Sequence, residues 1–222
     1  MNKLLFLLFC FPLFLFSQTP IWEWATGWAI NNGLKDIAVS SYGESYVIGG
    51  FYGQQIIGND TINSISTNLS CSPQCPQSYI AKLNVNGNLA WTYPVLSTDF
   101  TNPIEIKLAP NGYIYALFEY KDPVFSYGAF NFKIIKLDST GNLISEYISP
   151  LTNGGLSAYS MCIDENNNIT IPAHLNGGPV TIGSIDYHGP LIMMNLSENF
   201  SVNWVYTASS STSPGVNGGL SS

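Results

Sequence analysis

A ten-residue phrase recurs three times along this chain, and the recurrence limits what the chain can fold into. Lys82-Leu83-Asn84-Val85-Asn86-Gly87-Asn88-Leu89-Ala90-Trp91 returns as Lys136-Leu137-Asp138-Ser139-Thr140-Gly141-Asn142-Leu143-Ile144-Ser145. A more diverged copy reads Asn195-Leu196-Ser197-Glu198-Asn199-Phe200-Ser201-Val202-Asn203-Trp204. The starts are 136 − 82 = 54 and 195 − 136 = 59 residues apart. Self-similarity at such a period marks a repeat architecture, in which each unit buries its apolar faces only against its neighbours.

The residues around each phrase follow one plan. A first strand is expected at 36–39, 105–108 and 160–163, followed by turns at 41–44, 110–113 and 165–168. Gly and Asn in those turns tolerate the positive φ that tight hairpins demand. Second strands follow at 46–52, 114–120 and 169–175, then glycine-marked excursions at Ile57-Gly58, Tyr127-Gly128 and Ile182-Gly183. Third strands at 79–84, 133–138 and 191–196 lead through the recurrent turn into fourth strands at 89–95, 143–148 and 202–207. Four antiparallel strands per unit is the plan of a β-propeller blade. The expected fold is all-β: an array of about three four-stranded antiparallel blades, an incomplete or open ring, with almost no helix after residue 17.

The units span approximately 34–95, 103–148 and 158–207, with the start of a fourth at 215–222. Unit one carries an insertion at 63–77. Pro172 lacks a ladder donor, so the second strand of unit three is expected to be interrupted or to lie at an edge. Trp22-Glu23-Trp24-Ala25-Thr26 is similar to a lone fourth strand, and Asn217-Gly218-Gly219-Leu220-Ser221 matches Asn153-Gly154-Gly155-Leu156-Ser157. Both ends point to the first part of a longer propeller.

Residues 1–17 read as a secretory signal peptide: Lys3 gives a weakly basic start, 4–16 are apolar, and Ser17-Gln18 offers a cleavage point. The remaining 18–222 contain no further segment long and apolar enough for a helical membrane span. Only 9% of residues are charged against 45% hydrophobic and 14% aromatic, with 20 Gly and 13 Pro, a profile of strands and turns. The formal charge is −7 and arginine is absent, which argues against a nucleic-acid partner. In an exported chain, Cys71-Ser72-Pro73-Gln74-Cys75 reads as a local disulfide, worth about 2 kcal/mol for so small a loop. Cys162, in an apolar strand, is expected to be an unpaired, buried thiol.

Unit one resembles the secreted bacterial β-propeller repeats known as SBBP, through Asp36, Tyr46-Val47-Ile48-Gly49-Gly50-Phe51, Gly58, Thr61, Tyr79, Lys82-Leu83, Gly87 and Trp91. Unit two keeps Asn111-Gly112, Tyr115, Lys136-Leu137 and Gly141, with Ser145 in place of the tryptophan. Unit three keeps little beyond Gly183, Leu196 and Trp204. The resemblance implies an exported propeller, secreted or on the outer cell surface, often delivered by type IX secretion through a separate C-terminal sorting domain. It implies no shared catalytic residues.

Residue by residue, the chemistry is sparse. Asp186-Tyr187-His188 has the Asp-x-His spacing of a metal pair, and polar residues beside a hairpin are also commonly just solvated. Asp164-Glu165-Asn166-Asn167-Asn168 opens like a calcium loop, but Ile169 and Leu175 occupy the places that pattern gives to Gly and Glu, and the segment aligns with plain turns. No Gly-x-Ser-x-Gly elbow occurs, and nothing marks two of the 14 carboxylates as a facing acid–base pair. No catalytic residue, metal or cofactor is assigned. The aromatics near loop edges, Trp28, Tyr42, Tyr52, Tyr113 and Tyr120, could stack on sugars or peptide side chains; packing between blades is the competing reading. The expected function is that of a non-enzymatic binding or structural module for a protein or glycan partner. The alternative is a polysaccharide lyase or glycosidase with its site at the blade axis. The disulfide is checked by mass spectrometry of unreduced protein: a two-hydrogen loss confined to the peptide carrying both Cys71 and Cys75 is expected, and free thiol at both positions would count against it.

Overall fold

The computed structural model describes residues 33–66, 75–121, 130–150, 155–176 and 178–208. Every regular element among them is a strand. The first sheet uses β1 (Leu34–Val39), β2 (Ser45–Phe51), β5 (Gln77–Leu83) and β6 (Leu89–Val95) in that spatial order. Between β2 and β5 lies a small hairpin of β3 (Gln54–Ile57) and β4 (Asp60–Asn63). The second sheet is β7 (Phe100–Leu108), β8 (Ile114–Lys121), β9 (Asn131–Leu137) and β10 (Leu143–Ile148). In the third, the inner strand is split into β11 (Leu156–Ala158) and β12 (Cys162–Ile163), both paired to β13 (Ile169–Leu175). A hairpin of β14 (Val180–Ile182) and β15 (Ile185–Tyr187) precedes β16 (Leu191–Leu196) and β17 (Val202–Ala208). All pairings are antiparallel between strands adjacent in this order, and none joins the first sheet to the third. The described residues therefore form an open, propeller-like array of three blades.

The turns follow from local chemistry. Each of six five-residue loops closes with its first residue's amide donating to its last residue's carbonyl, as in Asn84 to Asn88, Asp138 to Asn142 and Asp164 to Asn168. The fourth residue takes positive φ: Gly43, Gly87, Gly112 and Gly141, then Asn167 at 64° and Phe200 at 63°. Glycine adopts that region without steric penalty and Asn tolerates it, whereas Phe200 is an outlier. Its ring compensates by packing edge-on to Tyr115 and tilted against Tyr147. In five of the loops the first side chain caps later amides: Ser40, Asn84, Asp138, Asp164 and Ser197.

Strand periodicity decides what meets what. Along β8, Ile114, Ala116 and Phe118 turn to the first sheet, where they pack with Tyr46, Ile48 and Ile80. Alternating with them, Tyr115 and Leu117 turn to the third sheet and pack with Ile169, Ile171, Met194 and Leu196. A strand with period two and both faces apolar is stable only between two other sheets. Fully burying a side chain such as Phe118 or Leu117 contributes about 1.5–3 kcal/mol, so these two interfaces supply most of the stability. Gly49 is required where Tyr79 crosses it: a Cβ there would lie 2.5 Å from the tyrosine hydroxyl.

Two expectations need correction. Pro172 neither breaks nor edges its strand, because β13 runs unbroken through the middle of the third sheet. The Pro172 carbonyl accepts from Tyr159, so the missing donor faces the first strand; that strand splits between Ala158 and Cys162 to accommodate it. The split also decides the fate of Cys162, which is unpaired as expected but exposed rather than buried. Met161 takes the inward place in front of it.

Carboxylates staple the blades at their first strands. Asp36 Oδ2 accepts the Ile106 amide at 2.9 Å, and Glu105 Oε2 accepts the Met161 amide at 2.6 Å. The pairings Asp36↔Ile48 and Glu105↔Leu117 put the two acids at the same register position in successive blades. A charge-assisted bond of this kind contributes about 1.5–3 kcal/mol, less than the packing it crosses, but it has direction and fixes the stagger of one sheet on the next. Glu105→Ala is expected to lower the unfolding free energy in urea by about that amount, with Glu105→Gln losing less. Tyr79→Phe should do the reverse. Its hydroxyl is buried without a partner and burial pushes its pKa up to about 12, so removing it should stabilise by about 1 kcal/mol at neutral pH. The raised pKa favours the neutral form, so this group's contribution is complete below pH 10 and lost as pH rises toward 12; Tyr79→Phe should flatten that alkaline decline.

Candidate functional site

An antiparallel meander puts its first-to-second and third-to-fourth turns at one end of the blade and everything else at the other. At one end of this array all six connections are the braced five-residue loops. At the opposite end, the second-to-third connections run from Phe51 to Gln77, from Lys121 to Asn131 and from Leu175 to Leu191, differing in length and content. Rigid short turns at one end and long variable segments at the other is how repeat scaffolds separate structure from recognition.

The recurrent lysines are structural. Lys82 pairs with Glu44 at 2.9 Å and donates to the Ser139 carbonyl of the next blade at 3.1 Å. Trp91 Nε1 donates to that same carbonyl at 3.2 Å, and its ring covers Gly141 so closely that a Cβ would lie 2.8 Å away. Lys136 repeats the reach, bonding Glu198 Oε1 at 2.9 Å and the Glu198 carbonyl at 3.4 Å. Ser139 and Glu198 are both second residues of the third-to-fourth turn. Burial alone would lower both lysine pKa values; bonds to Glu44 and Tyr46 around Lys82, and to Glu198 and Tyr115 around Lys136, more than offset it and leave both raised. These lysines stay charged and are committed to holding blades together.

The aromatic candidates separate rather than converge. Tyr42 lies on the short-turn end and is 83% exposed. Tyr113 lies in the corresponding turn of the second blade but follows the turn glycine where Tyr42 precedes it, and is half-buried with Lys136 Nζ 4.3 Å from its ring centre. Glu44 is the true counterpart of Tyr113, and each engages the lysine of its own blade. Tyr52 and Tyr120 lie on the long-loop end, Tyr52 exposed beyond β2 and Tyr120 stacked by Lys133 at 4.6 Å. Tyr42 and Tyr52 flank a seven-residue strand, roughly 23 Å long, and cannot share one small ligand. Trp28 lies outside the described residues.

Below the long-loop end, a buried polar knot joins the first two blades. Gln77 Nε2 donates to the Asp99 carbonyl, the Ser97 amide donates to Gln77 Oε1 at 2.7 Å, and Thr101 Oγ1 donates to the Val95 carbonyl. Lys121 pairs with Asp99 at 3.6 Å. Cys75 is disulfide-bonded, and its sulfur lies 3.7 Å from Asp99 Oδ1. Cys71, its expected partner, lies outside the described residues. A shallow depression of about 410 Å³ lies where the β3–β4 tip meets the β5–β6 turn, lined by Gly58, Asn59, Asp60 and residues 87–90. Asp60 there accepts from Thr92 Oγ1 at 2.8 Å.

The metal readings resolve into turns. Asp164 Oδ1 accepts the amides of Asn166 and Asn168 while Oδ2 accepts from Asn168 Nδ2, the geometry of a capped hairpin. Asp186 accepts from Thr181 Oγ1 at 2.6 Å. No group of three metal-ligating side chains occurs among the described residues. Reasoning from sequence missed the stapling role of Asp36, Glu105 and the two lysines. The recurring Lys-Leu pair was a signal for the lysines; the acids differ in type and left none.

No family model and no curated protein matches the chain. Among solved structures, it is similar to a catalytically inactive variant of virginiamycin B lyase from Staphylococcus aureus crystallised with quinupristin, at 14% identity, covering 78% of this chain and 84% of that one, with a TM-score of 0.21. A TM-score this low carries no argument, and the three-blade assignment rests on the strand pairing itself.

The Asp138 carboxylate generates a test of the turn chemistry. Bonds from the Thr140 hydroxyl and from Asn142 hold its pKa far below the usual carboxylate range. The folded carboxylate therefore resists protonation more than the unfolded one. Its contribution is present above the ordinary value of 3.8 and is lost as pH falls through the folded pKa. Asp138→Asn should leave neutral-pH stability unchanged, since Asn84 fills the same place in the first blade, and should flatten the acid limb of an unfolding curve. Asp138→Ala should lose stability at neutral pH, with the loss shrinking as pH falls through the folded pKa.

Proposed function

We propose that this chain is a non-enzymatic binding or structural β-propeller module, exported to the cell surface or medium, that meets a protein or glycan partner through its long-loop end. The division between the two ends carries this reading: six self-braced turns at one, and connections of differing length beside Tyr52 and Tyr120 at the other. Six of the 14 carboxylates are engaged in holding the fold: Asp36 and Glu105 on interblade amides, Asp138 and Asp164 in turns, Glu44 and Glu198 on lysines. Flat rings at a loop edge suit pyranose faces and peptide side chains equally.

Panels of immobilised glycans and peptides, scored for retention and for released product, test the reading. Retention without product is expected, with Tyr52→Ala or Tyr120→Ala weakening it at least about fivefold and Tyr42→Ala leaving it unchanged. Reproducible turnover of any glycan would overturn it in favour of a lyase or glycosidase.

A further inference from the structure

The two internal interfaces are built alike, and the array exposes both halves of a third. Cross-strand pairing fixes the correspondence. Lys82↔Trp91 and Ile80↔Tyr93 in the first blade match Lys136↔Ser145 and Ile134↔Tyr147 in the second, and Asn195↔Trp204 and Met193↔Tyr206 in the third. Tyr93 and Tyr147 pack into the interface with the following blade, and burial pushes the Tyr147 pKa up to about 12. Tyr206 stands at the same position with 60% of its surface exposed.

The opposite face of the array shows the converse. Ile106 and Leu108 of the second blade, and Met161 and Ile163 of the third, turn back onto the preceding blade and pack there. By register their counterparts in the first blade are Ile37 and Val39, which are 54% and 60% exposed. The turn that would receive a tryptophan is also open. Trp91 packs on Gly141 and donates to the Ser139 carbonyl; in the first blade those places are Gly87, beside the shallow depression, and Val85, which is exposed. The β3–β4 hairpin covers the middle of this face, where Ile57 and Ile62 pack on Val47, Phe51, Tyr79 and Ala81, and leaves Ile37 and Val39 open; its counterpart β14–β15 sits inside the second interface with Val180 and Ile182 buried, so such a hairpin is compatible with a joint.

From this continuity with the internal interfaces, we infer that the free face of the third blade docks on the free face of the first blade of a second copy of this chain. Trp204 and Tyr206 of one copy cover Gly87, Ile37 and Val39 of the other, and Trp204 Nε1 donates to the Val85 carbonyl. The contact is heterologous, and two such contacts related by a two-fold axis close a ring. The three blades described in each copy would together make six, inside the roughly four to eight that such rings contain. The joint between copies lacks the polar staples of the internal ones. Asn195 replaces the lysine and donates to Thr170 of its own blade, and Ser160 stands where the acids of the other blades do. It rests on the Trp204 and Tyr206 rings against Gly87, Ile37 and Val39, on a face that also carries Thr170 and His174 of β13, which suits a reversible association.

Light scattering on the purified chain over a concentration series should show twice the protomer mass, falling to one on dilution. Tyr206→Lys and Ile37→Lys should each raise the dissociation constant about thirtyfold or more, with near-ultraviolet circular dichroism confirming that each variant is folded. A mixture of the two variants should recover dimers, because one of the two joints then contains only native faces. A monomer at every concentration overturns the inference. So does an Ile37→Lys variant that dimerises like the parent, which would mean that third blades pair with each other. Open polymers in place of dimers would overturn the closed ring.

Discussion

The central strands of the first two blades are buried on both faces, and that requirement organises the rest. A single sheet made of β2, β5, β8 or β9 would leave one of its faces in water whichever way it turned. Stacking sheet on sheet is the arrangement that hides both, and it makes each interface a copy of the last. Tyr46 and Ile48 meet Phe118 and Ala116 in the first, and Tyr115 and Leu117 meet Ile171 and Met194 in the second. The dominant energy is apolar burial, which scales with area and has no direction.

Direction is supplied by a few polar groups placed at equivalent positions. Asp36 and Glu105 reach the amides of the next first strand; Lys82 and Lys136 reach the carbonyl of the next turn. Together they pin each blade to its successor at both its inner strand and its short-turn end. Buried charge is tolerated because each of these groups has a partner of opposite charge or a matched backbone dipole within hydrogen-bond distance. In the third blade Asn195 takes the lysine's position and bonds Thr170 and Asn203 of its own blade, with Ser160 at the position of the acids. That contrast distinguishes a fixed internal joint from a face still open to association.

The same division of labour places function. Turn residues at the short end are consumed by their own hydrogen bonds, down to the Asn and Asp side chains that resembled metal ligands. The connections at the other end differ from blade to blade in length and residue content. Evolutionary or engineered change there would leave the staples untouched.

The sequence by itself determined the three four-stranded units of the described residues, their strand order, the turns, and the role of Asp164 as a turn residue, because strand period and turn chemistry are local properties. Third and fourth strands were legible almost to the residue through Lys-Leu and the turn that follows. Tertiary structure alone decided which face of each strand meets which neighbour. It moved the cost of Pro172 onto the opposite strand, turned Cys162 outward behind Met161, and separated Tyr42 from Tyr52 by a strand's length. It also revealed Asp36, Glu105 and the lysines as staples. Those contacts join residues 56 to 70 positions apart, and whether a carboxylate finds an amide at that distance depends on how two sheets stagger, a quantity set by the packing of the whole interface and by no short stretch of chain.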